Sequence, residues 1–389
     1  METPKLDLTK ILPVLIGFFV MGFVDLVGIA TNYVKADFHL SDTIANLLPS
    51  MVFFWFLVFA VPTGLLMNKI GRKNTVLLSL IITLPALLVP IFSYSFASML
   101  ISFTLLGIGN TMLQVSLNPL LANIVDEKRM ASTLTFGQFI KAIASFVAPI
   151  FAAWAVVKFL NWRMIMFPTF FIVCLFVLAW LFFTKIEEKN VQNKVASFAE
   201  CFSLLGDRTI LFLFLGIMAH VGLDVGINTT APKLLIERLH IDLADAGYAT
   251  SFYFIFRTAG CLMGSGLLAK FSSKKIFILS VSMILIGILC LFIPNKTIMY
   301  SGIALFGLGN SNIFSVIFSQ ALLQKPTSHN QVSGLMIMGI FGGAVFPLIM
   351  GVSSDFVGGQ SGALFVLLFC VAYLLAFVST KLKNYSSIE

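Results

Sequence analysis

The chain has 389 residues, of which 59% are hydrophobic and 11% are charged, and its mean hydropathy is +1.00. Soluble domains carry about 25% charged residues, so this composition excludes an ordinary soluble protein and predicts a polytopic membrane protein. The net charge of +8 does not point to a nucleic-acid partner, and we expect none, because the basic residues follow the membrane topology.

Apolar runs of about 20 residues, the length at which an α-helix spans a bilayer, recur along the whole chain. Their continuity excludes an outer-membrane barrel, whose strands alternate in polarity. The runs predict an all-α membrane protein with twelve transmembrane helices. These helices are expected at residues 11–34, 44–67, 74–94, 97–123, 132–157, 163–184, 209–232, 245–269, 275–293, 298–323, 331–353 and 361–381. Residues 1–10 are polar and no small-residue cleavage site follows, so we expect the first helix to be retained.

Lysine and arginine are distributed unevenly between the two sides of these helices. If the N-terminus is cytoplasmic, 17 of the 25 lie in cytoplasmic segments, six lie on the opposite side, and Lys141 and Arg257 lie within helices. Cytoplasmic loops carry an excess of positive charge. The pattern therefore predicts a multi-pass protein of the plasma (inner) membrane with both termini in the cytoplasm.

A polar connection and an internal repeat divide the chain into two halves. Residues 185–208 form the longest polar segment between helices, and LLGIGN at 105–110 recurs as LFGLGN at 305–310. GLLMNKIGRK at 64–73 is echoed by GLLAKFSSKK at 266–275. Parallel repeats with a shared site near the bilayer midplane are a recurring transporter plan. We predict an N-terminal six-helix half at 1–184, a cytoplasmic linker at 185–208 and a C-terminal six-helix half at 209–389.

Four ionisable residues lie deep within predicted helices, where a charge costs about 3 kcal/mol: Asp25, Lys141, Asp224 and Arg257. Asp224 and Arg257 have similar depths, counted at about 1.5 Å per residue, and their helices are consecutive, so we expect them to pair. A second pair, Asp25 with Lys141, requires the lysine to stretch or the helices to tilt. A structural ion pair is one role for each carboxylate, and each can also lose its charge by protonation.

Amide side chains inside the predicted helices are candidate substrate ligands. The candidates are Gln114, Asn118, Gln138, Asn228, Asn310 and Asn312. Gln114 and Asn118 lie four residues apart and share a helical face, next to Pro119, which frees a backbone carbonyl. Gln138 lies one turn before Lys141, so those two also share a face. For all these amides, hydrogen bonding between helices is the alternative role.

Other chemistry is not indicated by the sequence. Five cysteines are scattered without the spacing of a metal site, so we expect neither a metal nor a redox role. The sequence contains no cluster of nucleophile and base and no phosphate-binding loop. We therefore expect no enzyme, no catalytic residue and no cofactor, and transport would be driven by an ion gradient, with a proton as the coupling ion and sodium as the alternative.

Four motifs carry a resemblance to a known family. GLLMNKIGRK at 64–73 is similar to the loop signature of the major facilitator superfamily, without the acidic residue that is usual there. QVSLNP at 114–119 resembles the fourth helix of its fucose:proton symporter branch, which includes fucose and glucose/galactose permeases. HVGLDVGIN at 220–228 and GIFGGAVFPLIMGVSSDFVG at 339–358 are similar to that branch's seventh and eleventh helices. The resemblance covers residues 18–358.

This resemblance implies the major facilitator fold and the symport of a monosaccharide or related small polyol by alternating access. Residues carried over as sugar-site or coupling candidates are Gln114, Asn118, Gln138 and Asp224. Two departures matter: Gln114 replaces an acidic residue of the family's fourth helix, and Gly28 and Ile29 replace Asn-Asp in its first helix, with Asp25 one turn earlier. We therefore assign ion coupling to Asp25 and Asp224.

A second interpretation follows from the two intramembrane cations. Lys141 stands where the family tends to have a small residue, and Arg257 cannot lose its charge. A carrier of an organic anion or amphipathic compound would use both residues to contact its substrate. In either interpretation the partners are a small molecule and the lipid bilayer, and we expect a monomer.

Overall fold

The protein is helical apart from short connections. The computed structural model describes residues 8–40, 44, 47–159, 161–188, 198–241 and 243–382. The predicted cytoplasmic ends of the chain, at 1–7 and 383–389, and the middle of the predicted linker, at 189–197, lie outside these residues.

The helices before the linker are α1 (Leu8–Met21), α2 (Leu26–Asp37), α3 (Leu47–Ile70), α4 (Arg72–Phe92), α5 (Phe96–Ile124), α6 (Met130–Phe159) and α7 (Arg163–Phe183). The short helix α8 (Phe198–Ser203) lies within the predicted linker. The helices that follow are α9 (Arg208–Leu239), α10 (Leu243–Lys270), α11 (Ser273–Leu291), α12 (Lys296–Asn310), α13 (Ile313–Gln324), α14 (His329–Met338), α15 (Gly342–Val357), α16 (Ser361–Tyr373) and α17 (Ser379–Lys381).

The all-helical membrane architecture predicted from hydropathy is confirmed. In the described part of the chain, eleven helical segments are long and apolar enough to cross a membrane. The remaining predicted span, the first in the chain, is divided between α1 and α2 by a 3₁₀ turn at Gly22–Asp25. Because each half is then shorter than a bilayer is thick, only the two together have the length of a span.

Within the described residues, three of the predicted membrane helices are interrupted by a turn, whereas the twelfth continues from α16 to α17 through the π-helix Leu374–Val378. The first breaks at Gly22–Asp25, the tenth at Ser311 and Asn312 between α12 and α13, and the eleventh at the 3₁₀ turn Gly339–Phe341 between α14 and α15. Backbone carbonyls beside a break lose their helical partners and need others, since hydrocarbon supplies none. At the first break this partner is Asn110, whose Nδ2 donates to the carbonyl of Met21.

The break in the first helix depends on glycine at its start. A Cβ atom at Gly22 would lie 2.7 Å from the Cβ of Ala144 and 2.7 Å from the carbonyl oxygen of Lys141. Both distances are too short for any real Cβ, so only glycine lets the turn lie directly against α6. This contact brings Asp25, at the end of the turn, next to α6.

The chain forms two compact units. Unit 1 comprises the described residues of Met1–Asp126, Ile140–Phe202 and Thr327–Met338, and unit 2 comprises those of Glu127–Phe139, Ser203–Pro326 and Gly339–Glu389. Unit 1 thus includes α14 from the second half of the sequence. The predicted division at the linker stays a prediction.

In unit 1, α14 is held by a buried polar group at its first turn. The amide oxygen of Asn330 accepts a hydrogen bond from Arg72 Nε at 2.7 Å, and its amide nitrogen donates to Asn68 Oδ1 at 2.8 Å. Arg72 also donates to Asn123 Oδ1 at 3.2 Å and is only 5% exposed. A buried guanidinium is tolerated only when its donors are paired, so Asn330 stabilises the junction of α14 with α3, α4 and α5.

One turn further along α14, Ser333 makes a second contact, with a carbonyl that a proline in α5 leaves free. Pro119 has no backbone N–H, which leaves the carbonyl of Val115 on α5 without its helical donor. The hydroxyl of Ser333 donates to this carbonyl at 2.6 Å. The freed carbonyl that the sequence predicts near Pro119 is therefore satisfied from α14.

We expect Asn330→Ala to destabilise the protein. The substitution leaves Arg72 Nε and Asn68 Oδ1 without these partners in a buried place, and an unsatisfied buried polar group costs about 2 kcal/mol. Thermal unfolding of the purified protein in detergent measures the loss. Asn74→Ala is the matched control, because Asn74 is exposed and its amide nitrogen donates to the carbonyl of Ile70, the last residue of α3. Equal melting temperatures for the two variants would contradict this account.

In unit 2, α9 is the central helix, and it packs closely against α15 through glycines. A Cβ at Gly222 would overlap the ring of Phe346, and one at Gly226 would overlap Met350. Small residues in membrane helices allow such close approach. As a result, the face of α9 that carries these glycines packs against apolar side chains of α15. The polar residues of α9 contact helices other than α15.

The start of α9 is fixed by Asp207. Its carboxylate accepts hydrogen bonds from the backbone N–H groups of Thr209 at 2.8 Å and Ile210 at 3.3 Å, as an N-cap residue does. The same carboxylate lies 2.7 Å from Lys325 Nζ. The bond from Lys325, followed by those from the backbone, lowers the pKa of Asp207 below its usual value.

Candidate functional site

Two groups of polar residues lie within the apolar helices, one in each compact unit. The first polar cluster, in unit 1, consists of Asp25, Asn110, Gln114, Asn118 and Ser145. The second polar cluster, in unit 2, consists of His220, Asp224, Tyr253, Arg257 and Asn310. Each cluster includes one of the two carboxylates that the sequence assigns to ion coupling.

The break in the first helix explains the amides of the first polar cluster. Asn110 Nδ2 donates at 2.7 Å to the carbonyl of Met21, the last residue of α1. Gln114 Nε2 donates at 2.7 Å to Asn110 Oδ1, and Asn118 Nδ2 donates at 2.7 Å to the carbonyl of Gln114. Gln114 is 5% exposed and Asn118 is fully buried. These amides therefore form the hydrogen bonds within and between helices that the sequence left as the alternative role.

One atom of this group has no partner in the described structure. Asn118 Oδ1 is buried and accepts no hydrogen bond. An unpaired buried acceptor is unfavourable by about 1–3 kcal/mol. Among the described predicted ligands, Asn228 and Asn312 share this feature with Asn118, because their Oδ1 atoms are also buried without a partner.

Asp25 is exposed and lies beside α6. Its carboxylate accepts a hydrogen bond from the hydroxyl of Ser145, whose oxygen also lies 3.2 Å from the carbonyl of Lys141. The ion pair between Asp25 and Lys141 that the helix depths allow is not formed in the described part of the chain, where the partner of Asp25 is a hydroxyl. The 3₁₀ turn directs Asp25 to Ser145, one turn after Lys141, and Lys141 is left half-buried.

The predicted pair of Asp224 with Arg257 is confirmed. Arg257 Nη2 lies 3.0 Å from Asp224 Oδ2, and the two side chains are 26% and 19% exposed. The pair joins α9 to α10. The arrangement places a group that can gain a proton beside one that keeps its charge.

Three buried residues extend the second polar cluster away from this ion pair. The Tyr253 hydroxyl donates to Asp224 Oδ1, and Asn310 Nδ2 donates to the Tyr253 oxygen at 2.8 Å. His220 Nδ1 lies 2.9 Å from Asn310 Oδ1. Tyr253, Asn310 and His220 are each no more than 2% exposed. Asn310, a predicted substrate ligand, therefore contacts other side chains of the cluster.

The remaining predicted ligands lie in different places. Asn228, one turn after Asp224, is half-buried, and its Nδ2 donates to the Asp224 carbonyl at 2.8 Å. Asn312 is 5% exposed at the break in the tenth helix, with Nδ2 3.5 Å from Ser280 Oγ. Gln138 is half-buried on α6. The structure thus groups Asn228 with the second cluster and leaves Asn312 and Gln138 outside both.

Sequence reasoning missed two residues that contact the carboxylates. Tyr253 lies four residues before Arg257, and Ser145 lies four residues after Lys141, so each shares a helical face with a residue that was identified. That spacing was the available signal. In the part of the chain that the structure describes, no group of three His, Cys, Asp or Glu side chains is placed to hold a metal ion.

Comparisons with known proteins agree on one family. The sequence model of the Major Facilitator Superfamily matches residues 14–340. A glucose/galactose transporter of Brucella abortus biovar 1 (strain 9-941) is 26% identical over 376 residues, covering 92% of this chain and 90% of the relative. A putative glucose/galactose transporter of Helicobacter pylori (strain J99 / ATCC 700824) is 25% identical over 394 residues, covering 96% of each.

The fold has a counterpart among solved structures. The crystal structure of the Escherichia coli fucose:proton symporter FucP matches with a TM-score of 0.82 at 16% identity, covering 96% of this chain and all of that one (100%). At such low identity the match concerns the fold alone. Together with the sequence matches, it confirms the resemblance predicted from the motifs.

Proposed function

Because this chain belongs to the Major Facilitator Superfamily and is therefore a membrane transporter rather than an enzyme, we propose that it takes up a monosaccharide or related small polyol. Uptake is coupled to protons and proceeds by alternating access. The observation that carries the proposal is the Asp224–Arg257 pair with its buried hydrogen-bonded neighbours. The names of the relatives, two of them glucose/galactose transporters, support the substrate class.

The proton-coupling role rests on the chemistry of Asp224. A carboxylate is the group in this cluster that can change its charge readily, whereas Arg257 stays charged. Protonation of Asp224 would release Arg257 from its partner, and a ligand that binds one of these states better shifts the population toward it. Asp25, the second coupling candidate, is exposed and has a hydroxyl rather than a cation as its partner.

The substrate role falls on the polar side chains that keep accessible atoms. Gln138, Asn228 and Arg257 are half-buried, and hydrogen-bond donors and acceptors of this kind suit sugar hydroxyls. Gln114 and Asn118 are nearly or wholly inaccessible, and so is Asn310. We assign the inaccessible amides to positioning the helices of their own units.

A second candidate function is supported by Lys141. Its side chain is half-buried on α6 and, among the described residues, Asp25 does not neutralise it. In this function Lys141 contacts an organic anion or amphipathic compound. The two functions differ in whether the substrate is neutral or negatively charged, which is directly measurable.

A ligand screen separates these two functions. A compound that binds the folded protein raises its apparent melting temperature, by RT ln(1 + [L]/Kd) in free energy. We expect neutral hexoses or polyols to raise the melting temperature of the purified protein at two pH values, with an unchanged response in Lys141→Ala. A response to sugar acids and other organic anions alone, abolished in Lys141→Ala, would contradict sugar transport and favour the second function.

A further inference from the structure

The hydrogen bonds of the second polar cluster form a single directional chain. It runs from His220 through Asn310 and Tyr253 to Asp224, across α9, α12 and α10. The three donor residues are buried: His220 is 2% exposed, and Asn310 and Tyr253 are each 1% exposed. Solvent therefore does not compete for these bonds.

The carboxylate fixes the direction of every bond in the chain. An ionised carboxylate only accepts, so Tyr253 must use its one hydroxyl proton on Asp224. The Tyr253 oxygen must then accept, which turns the amide nitrogen of Asn310 toward it and the amide oxygen toward His220. His220 must consequently carry a proton on Nδ1. All three donors thus point toward Asp224, and bonds aligned in this way polarise and strengthen one another.

We propose that Tyr253 and Asn310 are positioning residues for proton coupling, which hold the Asp224 carboxylate charged and directed at Arg257 until it takes up a proton. Hydrogen bonds to the charged form of an acid favour that form. The inference rests on the proposed function in that Asp224 is the coupling carboxylate. Tyr253 contacts the carboxylate and Asn310 contacts Tyr253, and neither residue carries the proton itself.

The chain also excludes His220 from the path of the proton. Between His220 and Tyr253 lies the amide of Asn310, which has no labile proton to pass on without breaking its own conjugation. His220 therefore orients Asn310 and does not deliver protons to Asp224. Its burial beside Phe314, at 6.3 Å between ring centroids, agrees with a packed, positioning role.

Few other titratable groups face Asp224 in the described structure. From α10 it is faced by Tyr253 and Arg257, and His220 lies one turn earlier on its own helix. Neither α13 nor α16 contains a charged residue, α12 has one at its start, Lys296, and α15 has one near its end, Asp355. The α15 side chains that meet α9 at its glycines are apolar, Phe346 and Met350. Tyr253 and Arg257 are therefore the groups that determine the charge state of Asp224.

The experiment is an infrared titration of the full-length protein in liposomes without substrate. Protonated carboxylic acids absorb in a carbonyl-stretch band of their own. The intensity that disappears from this band in Asp224→Asn belongs to Asp224. In Tyr253→Phe we expect the midpoint of this band to lie about one pH unit higher than in the wild type, because a hydrogen bond to a charged group is lost. In Asn310→Ala, a smaller shift in the same direction is expected. Tyr373→Phe is the matched control, because its hydroxyl donates to the backbone carbonyl of Phe212 in the same unit.

Two results would overturn the proposal. One is an Asp224 midpoint that is the same in Tyr253→Phe, Asn310→Ala and the wild type; if Tyr253→Phe does not fold, Asn310→Ala decides alone. The other is the lack of any pH-dependent band that Asp224→Asn removes. The titration uses no sugar, so a failure of the proposed substrate class leaves this test valid.

Discussion

Replacing Asp224 with asparagine is expected to abolish accumulation of substrate driven by a pH gradient, while exchange of substrate across the membrane persists. Asparagine keeps the shape and an acceptor oxygen for the Tyr253 hydroxyl, but it does not titrate. Accumulation against a gradient requires that proton binding and substrate binding be coupled, and that coupling is reciprocal. Uptake by proteoliposomes with and without an imposed pH gradient measures both activities.

Two further variants make this result specific. Asp355→Asn is the matched control, since Asp355 is exposed near the end of α15 in the same unit, and we expect it to accumulate substrate normally. Asp25→Asn tests the second coupling candidate, whose carboxylate is paired with the Ser145 hydroxyl. Normal accumulation by both Asp224→Asn and Asp25→Asn would contradict the assignment of coupling to these carboxylates.

Replacing Arg257 with glutamine is expected to destabilise the protein more than replacing both members of its ion pair. The single variant leaves the Asp224 carboxylate without its cation, which costs about 3–5 kcal/mol for a buried pair. Because the side chains are 26% and 19% exposed, we expect a smaller loss of stability, about 2–3 kcal/mol. The double variant Asp224→Asn/Arg257→Gln removes both charges and should recover most of the loss.

Thermal unfolding of the wild type, both single variants and the double variant forms a complete cycle. Interacting residues show non-additive effects, whereas independent residues add to within about 0.5 kcal/mol. If the destabilisation of the double variant equals the sum of the two single effects, the ion pair contributes nothing to stability. That outcome would contradict the structural account of the second polar cluster.

Hydropathy was sufficient to predict the helices, because a bilayer imposes a length and an apolar composition on each span. It also placed Asp224 and Arg257 at similar depths on consecutive helices, and the ion pair followed from that. Depth along a helix axis says nothing about rotation around it. For this reason the sequence did not show that Asp25 meets Ser145 instead of Lys141, or that Tyr253 lies beside Asp224.

The helix breaks are the main feature that the sequence did not predict. All three occur within apolar runs that hydropathy treats as continuous, and the break at Gly22 depends on close packing against α6. They also change the role of the amides. Asn110 satisfies the carbonyl left free at Met21, and Gln114 is bonded to Asn110, so residues that resemble a sugar-binding face in the sequence have structural partners.

The internal repeat gains a physical meaning from the two clusters. Asn110 and Asn310 occupy the same position in LLGIGN and LFGLGN. Asn110 joins Met21 to Gln114 in unit 1, and Asn310 joins Tyr253 to His220 in unit 2. In each unit the repeated asparagine is therefore the residue that links the polar groups of neighbouring helices.

The most direct test of proton-coupled sugar transport is to follow sugar and protons together in proteoliposomes that contain the purified wild-type protein. With an inward proton gradient, we predict that a labelled neutral hexose or polyol accumulates above its external concentration. Adding the same sugar without a gradient should make the external medium more alkaline as protons enter with it. Sugar uptake that is unaffected by the gradient and causes no proton movement would contradict the proposed function.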